Sequence, residues 1–584
     1  MSRGWLCGIG CLNHGLIDGL RKYIGLESEM TDKNVFTDSS LEAYYEKLTK
    51  TDSCSGFPLK EIYAPDDVKD IDYEKDIGDA GKYPFTRGIH ADMYRGRLWT
   101  KRQGWGYGAP KDTNEQLKFL FQEGNTGLTI FADNPTTAGV DPDHPMSEGE
   151  VGRTGASFCS LQDMEDMLEG IPQDKVSMTL LGASCAARIT LCLYLAAAEK
   201  KGLDISKLRG TISNDPLHSH YCRGKEFNPI DLCVSSVVDV MEYCVKEVPL
   251  WNTTSVNSYD LRETGINAPQ EVAFGLGIAI SYINGALKRG LSIDDIAPRI
   301  SFYCCGGPDF FEEIAKLRAM RRMWSRIVRD RFGAKDPRSW KFRFAAQTAG
   351  SSLTAQQPLN NITRVAYEAL ALVLSGAQSV FCCTYDEAES LPTWEAQRTA
   401  LRTQQILAHE TGVARVADPL GGSYYVEYLT SKIEEEAARI MQEIEDMGGM
   451  TEALRTEWVD REVDKAALDL QRKVEEKENV VVGVNAFTIP LEEDMALPGG
   501  ICRIPSRTEQ EQVARVTRLK HTRNNENTSE ALKRLRERAL NSDNLISSII
   551  EATKANATME EMLGTIREAS GYSYDPFNMR TSPF

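Results

Sequence analysis

GLTIFADN, residues 127–134, decides the reading of this chain. It is a short apolar run with β-branched and aromatic residues, and it stops on Asp and Asn, the punctuation of a strand feeding a turn. An amphipathic stretch follows, SLQDMEDMLEGI (160–171), and the same strand-then-helix alternation recurs downstream. Further candidate strands are VSMTLLG (176–182), LRGTISND (208–215), TTSVNSYDL (253–261), ISFYCCG (300–306), KFRFAAQTAG (341–350) and SVFCCTYDEA (379–388). Working upstream, Arg97 to Gln103 supplies the remaining one. CAARITLCLYLAAAEKKG and NNITRVAYEALALVLSGAQ read as intervening helices. About eight units over some 300 residues predict an α/β fold, a (β/α)8 TIM barrel, rather than a doubly wound sheet. A doubly wound sheet opens on a Gly-rich phosphate loop; GWGYG (104–108) precedes no good helix start, and no G-x-x-x-x-G-K-[ST] occurs.

The flanks differ in character. Residues 1–82 carry no strong period and read as an N-terminal extension that wraps another surface, a docking arm for a partner. Residues 83–425 form the barrel, opened by YPFTRGIHADMYRGRLWTKRQGWGYG (83–108), whose Arg forks and aromatic faces suit a ligand with phosphate or carboxylate groups. Residues 426–584 are charged and mostly helical (SKIEEEAARIMQEIEDM, REVDKAALDLQRKVEEKE, EALKRLRERAL), interrupted by the strand-like VVVGVNAF (480–487).

Composition narrows the function classes. The chain has 584 residues, 41% hydrophobic and 26% charged, and a net charge of −18, which repels nucleic acid. The basic run KLRAMRRMWSRIVRDR (316–331) reads as one helix with a solvated basic face. No apolar run is long enough to cross a bilayer, and the N-terminus lacks a continuous signal core, so no membrane association and a cytoplasmic location are expected. The 14 Cys include no C-x-x-C and are expected to be buried free thiols with no metal bound. With seven His and neither H-E-x-x-H nor G-x-S-x-G, metal hydrolysis and α/β-hydrolase chemistry are disfavoured. Barrel enzymes place their chemistry at the C-terminal strand ends. Here those ends are Asp133, Asp215, Tyr259-Asp260, Gly306-Gly307, Gln347 and Asp386-Glu387, each of which serves either as a helix cap or as a ligand.

Specific motifs then go further. YPFTRGIHADMYRGRLWTKRQ resembles the segment with which the methylmalonyl-CoA mutase family surrounds the CoA chain, and DPDHP (141–145), GTISND (210–215), APRISF (297–302), FFEEIAKLRAMRRMW (310–324), QTAGSSLTAQQPLNN (347–361), DEAESLPT (386–393) and DPLGGSYYVE (418–427) continue the resemblance in order. The resemblance implies an isomerase: an adenosylcobalamin-dependent acyl-CoA mutase that moves a carbon-skeleton fragment by radical chemistry. It further implies that His90, Met93, Arg97, Thr100, Arg102, Thr129, Thr211, Ser213, Arg299 and Ser301 line the CoA route, that Gln347 and Glu387 meet the adenosyl group, and that Glu263 lies on the corrin side. Members that bind cobalamin themselves carry Asp-x-His-x-x-Gly, whose His holds cobalt; no His in this sequence has Asp two positions before it. The resemblance therefore implies a substrate-barrel subunit completed by a small cobalamin-binding subunit, as a heterodimer or heterotetramer.

Four positions depart from, or decide between, the family's substrates. Methylmalonyl enzymes have a Tyr where this chain has Gly104 and an aromatic residue where it has Ala132; both changes are expected to enlarge the acyl pocket unless Trp105 or Phe131 repacks into it. Arg223 matches the residue that binds the free carboxylate of methylmalonyl and succinyl groups. Tyr259 is kept, but the family His after it is Asp260, which donates a hydrogen bond only when protonated. The expectation is a bulky or alkyl-substituted succinyl-CoA/malonyl-CoA pair such as (1-methylalkyl)succinyl-CoA. The alternatives are a methylmalonyl-, ethylmalonyl- or isobutyryl-type mutase subunit, or a non-catalytic CoA-binding relative.

Overall fold

The computed structural model describes residues 52–582 apart from 105, 183, 223–225, 491–493, 495–496 and 498–499. Most of the expected docking arm (1–51), together with Arg223 and Trp105, lies outside the described residues.

Among the described residues, nine strand segments pair in parallel throughout: β1 Thr100–Lys101, β2 Gly127–Phe131, β3 Ser177–Leu181, β4 Gly210–Ser213, β5 Trp251–Asn252, β6 Thr254–Asn257, β7 Ile300–Gly306, β8 Phe344–Thr348 and β9 Ser379–Phe381. One sheet runs β1-β9-β8-β7-β6 and the other β2-β3-β4-β5. A parallel bridge from Arg102 to Gly127 joins β1 to β2, and only Thr253 separates β5 from β6. The two sheets thus close into the expected (β/α)8 barrel, β5 and β6 sharing one position.

Each candidate strand of the sequence contains a segment of this barrel. Two details differ. The strand in TTSVNSYDL ends at Asn257, because the Asn257 side chain accepts from Asp260 N (3.1 Å) and caps a helix over Ser258–Glu263. VVVGVNAF is a tight turn rather than a strand. Gly483 N donates to Ala486 O (2.8 Å), and the Asn485 amide reaches Val474 O and Asn479 O.

The alternation along the strands sorts outside from inside. Leu128, Ile130, Met178, Leu180, Ile212, Val256, Ile300, Phe302, Phe344 and Val380 join the continuous core beneath the helices. Barrel interiors are normally filled by bulky branched side chains. The intervening, axis-facing positions here carry Thr129, Ser177, Thr179, Thr211, Ser213, Ser255, Ser301, Ala345 and Ser379, and Ser177, Thr179, Thr211, Ala345 and Ser379 keep partial exposure. The axis is a hydroxyl-lined passage.

The helix Phe310–Arg326 corrects the reading of the basic run. Lys316, Arg318, Arg321 and Arg322 are buried, not solvated. They are buried because each is occupied. Lys316 Nζ pairs with Glu271 (2.5 Å) and Glu313, and Arg318 pairs with Asp418 (2.6 Å) and Glu427. Arg321 donates to the carbonyls of Phe85, Thr86 and Ser375 at 2.6–2.8 Å, while Arg322 meets Glu434 and Asp76 O. One helix therefore fastens residues 76–86 and the helix Tyr424–Asp446 to the barrel. The C-terminal helices share the barrel's core: Ile546 and Met559 pack into it, and Met559 N donates to Cys159 O (2.8 Å). Of the described cysteines, Cys159, Cys185, Cys192, Cys233, Cys244, Cys304, Cys305, Cys382 and Cys383 are buried free thiols, as expected, whereas Cys54, Cys222 and Cys502 are free but only half-buried. No helix among the described residues is long and apolar enough to cross a membrane.

Arg318→Ala leaves buried Glu427 without its cation and Asp418 with only the partly exposed Arg87, and is expected to destabilise the fold by about 3–5 kcal/mol in denaturant titrations. A loss below about 1 kcal/mol, the size of a surface pair, would show that the two ion pairs are screened.

Candidate active site

At the C-terminal end of β6 the short helix Ser258–Glu263 presents Tyr259, Asp260 and Glu263 together. Its seat is ionic: Ser258 Oγ donates to Glu271 (3.0 Å), the carboxylate that also accepts from buried Lys316. The Tyr259 hydroxyl accepts from Gln347 Nε2 (3.0 Å) and Gly350 N (3.2 Å). The Tyr303 hydroxyl bonds Gln347 Oε1, and the two tyrosine rings lie 5.5 Å apart.

Asp260 has a partner that sequence reading missed. Its Oδ2 lies 3.0 Å from His218 Nε2 and accepts from Asn257 Nδ2 at 2.9 Å. His218 is fully buried on the helix Pro216–Cys222, with Nδ1 against Asp215 O; Asp215 in turn accepts from Asn257 N (2.8 Å) and Tyr282. An imidazole therefore stands beside the Tyr259 helix, but it comes from the β4 end of the barrel. No local motif signals this, because 42 residues separate His218 from Asp260.

Glu263 and Glu387 form a second group. Glu263 accepts from Ser351 N (2.7 Å) and Ser351 Oγ (3.0 Å), and Glu387 accepts from Thr384 N (3.2 Å). Burial pushes both carboxyls up, Glu387 to about 7, and Glu263 adds to the rise at Glu387. Gly350 sits between them. A Cβ there would lie 3.1 Å from Glu263 Oε2, 3.2 Å from Glu387 Oε1 and 3.2 Å from the Tyr259 hydroxyl. The three side chains thus converge on bare backbone. Beside Ser351 a groove of 1330 Å³ opens, walled by Arg262, Phe274, Tyr367, Trp458 and Val480 to Val482.

The opposite, N-terminal strand ends carry cations. Burial lowers Arg299, with Arg209 and Arg338 adding to the effect; Arg343 is lowered to about 10 by burial and then by Arg299 and Arg338. Lys341 is lowered by burial and then by Arg343, and His90 by burial, Lys341 and Arg343. Cations that depress one another in this way would be relieved by a bound anion. Arg209, Lys341 and Arg343 escaped the sequence reading because they lie in runs read only as strands, LRGTISND and KFRFAAQTAG, and are gathered only when the barrel closes. Arg97 is exposed and Met93 is buried against Gly88 and Gly376. Thr100 belongs to β1, its N bonded to Gln378 O (2.9 Å).

Arg102 reaches the passage itself. It donates to Leu128 O (2.7 Å), to Ser177 Oγ (3.1 Å) and to Ser379 Oγ (3.3 Å), all neutral acceptors, and burial holds it down to about 10. The Thr129 and Ser213 hydroxyls are buried without hydrogen-bond partners; Thr211 accepts from Asn252 and Ser301 donates to Thr254 O. Higher up, Phe131, Leu181 and Phe381 form an apolar group, the two rings 6.3 Å apart. The wall from β9 round to β3 is therefore apolar at the site, and the wall from β6 to β8 polar. Ala132 is half-buried next to Phe131.

Gly104 behaves differently from a trimmed tyrosine. It has φ +133°, and a Cβ there would point at Thr129 O (3.3 Å) and at Leu120 and Leu117 (3.5 and 3.8 Å) on the helix Pro110–Gln122. The side chain it lacks would meet a packed helix.

A passage thus joins a cationic end to a buried Tyr–Gln–carboxyl end. Residues 52–572 match the family profile described as methylmalonyl-CoA mutase. The chain belongs to the methylmalonyl-CoA mutase family. It is 40% identical to the 2-hydroxyisobutanoyl-CoA mutase large subunit of Aquincola tertiaricarbonis, over 88% of this chain and 92% of that one. It is 38% identical to methylmalonyl-CoA mutase of Rhizobium meliloti (88% and 72% covered) and 34% identical to the mitochondrial enzyme of Homo sapiens (88% and 68%). The protein is an isomerase, an acyl-CoA mutase of a cobalamin-dependent family. The residues present fit that cofactor: Gly350 leaves a cradle that any Cβ would fill, and burial raises the carboxyls around it, Glu387 to about 7, so that Glu387 can donate as well as accept a hydrogen bond near neutrality.

A carboxyl whose folded pKa is raised favours folding while protonated. Glu387 is therefore expected to lower stability as pH rises from about 4.5, its unfolded value, to about 7, and to have no further effect above that. Glu387→Gln should flatten this segment of the stability–pH curve by on the order of 2 kcal/mol, read from denaturation midpoints at pH 5 and pH 8. Identical curves would show that the group titrates normally.

Proposed function

We propose that this chain is the large, substrate-barrel subunit of an adenosylcobalamin-dependent acyl-CoA mutase, completed by a small cobalamin-binding subunit that supplies the cobalt ligand. The observation that carries the reading is the hydroxyl-lined, partly exposed axis running from His90 and the cations Arg209, Arg299, Lys341 and Arg343 to Tyr259, Gln347 and Asp260. CoA phosphates pair with the guanidinium forks at one end. Thr129, Thr211, Ser213 and Ser301 face the amide-bearing arm along the passage, and the unpartnered hydroxyls of Thr129 and Ser213 are ready to bond it. The acyl group then reaches the two-sided site, with an alkyl substituent against Phe131, Leu181 and Phe381 and the thioester toward Tyr259.

Glu263, Glu387, Gln347 and the bare backbone of Gly350 would hold the cofactor. When bound, adenosylcobalamin supplies the homolysis that starts a radical 1,2-migration. The residues of this chain position and enclose. Tyr259 is fixed by Gln347 and Gly350 N, and His218 and Asp260 hold a proton between Nε2 and Oδ2 beside it. We place the partner's contact along the groove beside Ser351, with residues 1–82 as its docking arm, 83–425 as the acyl-CoA barrel and 426–584 as the helical flank.

For the substrate we propose a bulky or alkyl-substituted succinyl-CoA/malonyl-CoA pair such as (1-methylalkyl)succinyl-CoA. Ala132 and the apolar wall support the alkyl group, and Arg223 the free carboxylate. A hydroxyacyl thioester of the 2-hydroxyisobutanoyl type is the second reading. It is favoured by the polar His218–Asp260 pair and by the 40% identity to that relative.

The test combines the chain with a small cobalamin-binding subunit, adenosylcobalamin and a panel of acyl-CoAs, with products read by mass spectrometry. Isomerisation of alkylsuccinyl-CoA is expected; turnover of 2-hydroxyisobutanoyl-CoA alone supports the second reading, and turnover of none overturns the mutase assignment. Ala132→Phe should shift kcat/KM toward methylmalonyl-CoA by about 10-fold or more, the scale on which a pocket discriminates by filling. Arg343→Ala should raise KM for every CoA thioester with kcat little changed, because it removes binding common to substrate and transition state. Gly104→Tyr is expected to give insoluble protein rather than altered specificity.

A further inference from the structure

Outside the acyl-CoA passage, the fold gathers four potential metal ligands that the mutase chemistry does not use. Cys185 follows β3, ahead of the helix Ala187–Lys200; Cys233 lies in the first turn of the helix Ile230–Glu247; His220 is on the helix Pro216–Cys222; Glu226 lies in the connection between these last two helices. Both thiols are fully buried and Glu226 is nearly so. Cys185 Sγ is 3.7 Å from Cys233 Sγ, and His220 Nε2 is 3.5 Å from Cys233 Sγ. Donor atoms of Cys185, Cys233 and Glu226 all lie within 4.8 Å of one another.

These separations have a physical meaning. Thiolates bound to zinc at about 2.3 Å and an imidazole nitrogen at about 2.0–2.1 Å, at tetrahedral angles, lie about 3.8 Å apart (S to S) and about 3.5 Å apart (S to N). The two edges observed, Cys185–Cys233 and His220–Cys233, match both; His220 lies outside the mutual 4.8 Å set and reaches it through Cys233. The surroundings also hold the ligands in place. Glu226 Oε2 accepts from Cys185 N (2.9 Å) and Oε1 from Asn228 N (2.9 Å) and Asn228 Nδ2 (2.6 Å). Arg567 Nη1 braces Asn228 Oδ1 (2.7 Å) and Phe227 O (2.9 Å) from the C-terminal helices. Its charge and that of Arg188 offset the anionic ligand set from either side.

We propose that Cys185, Cys233, His220 and Glu226 bind a structural Zn2+ ion at the β3–β4 edge of the barrel. Binding releases the two thiol protons, leaving two thiolates, a neutral imidazole and a carboxylate around the ion. Without metal the same atoms make S–H contacts, including Cys233 Sγ to Asn228 O (3.4 Å), and burial keeps Cys233 protonated. His220 and Glu226 bracket the segment that carries Arg223, so the ion fixes both ends of that segment. This bearing on substrate choice rests on the role proposed for Arg223; zinc binding itself does not.

The full chain, purified from zinc-supplemented medium, is expected to hold about one zinc per chain by elemental analysis, and Cys185→Ser with Cys233→Ser to hold none. Cobalt(II) added to the metal-free wild type should give the thiolate charge-transfer absorption of a tetrahedral site. Zinc should protect the Cys185 and Cys233 peptides from alkylation, a readout that needs no variant. Absence of zinc after loading, alkylation unaffected by metal, or a Cys185–Cys233 disulfide (two thiols fewer, mass lower by two hydrogens) would each overturn the proposal. Loss of zinc binding with full turnover in the assembled enzyme would leave the metal site intact as an inference and remove its link to Arg223.

Discussion

The structure depends on keeping the centre of a barrel unfilled. Eight strand positions normally enclose just enough space for side chains to pack, and that packing stabilises the sheet from within. Here Ser, Thr and Ala take most of the inward places below the Phe131–Leu181–Phe381 group, so the sheet lacks much of its inner core and must be held from outside and across. The outer helices supply an unbroken apolar layer. Arg102 supplies the cross-tie, with one guanidinium lacing β1, β2, β3 and β9 through neutral acceptors. A neutral side chain of that length could not make as many bonds, because only arginine offers five donors in a rigid fork.

The charged network beneath the site follows from the same constraint. Tyr259, Asp260 and Glu263 stand on a six-residue helix, too short to hold itself. Its position is imposed by Ser258 on Glu271, Glu271 on Lys316, and Lys316 on Glu313 and Cys305 O. Buried ion clusters of this kind add little net stability but are strongly directional. Sited under the Ser258–Glu263 helix, the cluster fixes direction.

How much of this was legible in the sequence depended on range. The strands could be read because β-branched and aromatic runs ending in Asp, Asn or Gly are local signals, and GLTIFADN, VSMTLLG and ISFYCCG each became a strand. The burial of Lys316, Arg318, Arg321 and Arg322 could not, since their partners Glu271, Asp418, Phe85 and Glu434 come from four distant segments. His218 beside Asp260 and Cys185 beside Cys233 are likewise products of barrel closure, which brings neighbouring strand ends together whatever their spacing along the chain. Family motifs pointed to the passage and to Glu263, Gln347 and Glu387; they did not reveal that an imidazole stands near the position where the family's own His is missing. VVVGVNAF misled because three consecutive valines carry β propensity, while Gly483 and Asn485 close the segment on itself.

Gly104 also sets how the loop that carries it can change. Its backbone lies in a region that side chains avoid, and the direction a side chain would take is already occupied by Leu117 and Leu120. Any other residue at 104 would have to reroute the loop before it could place its side chain. The glycine therefore works as a ratchet: the loop leaves its present path only as a whole.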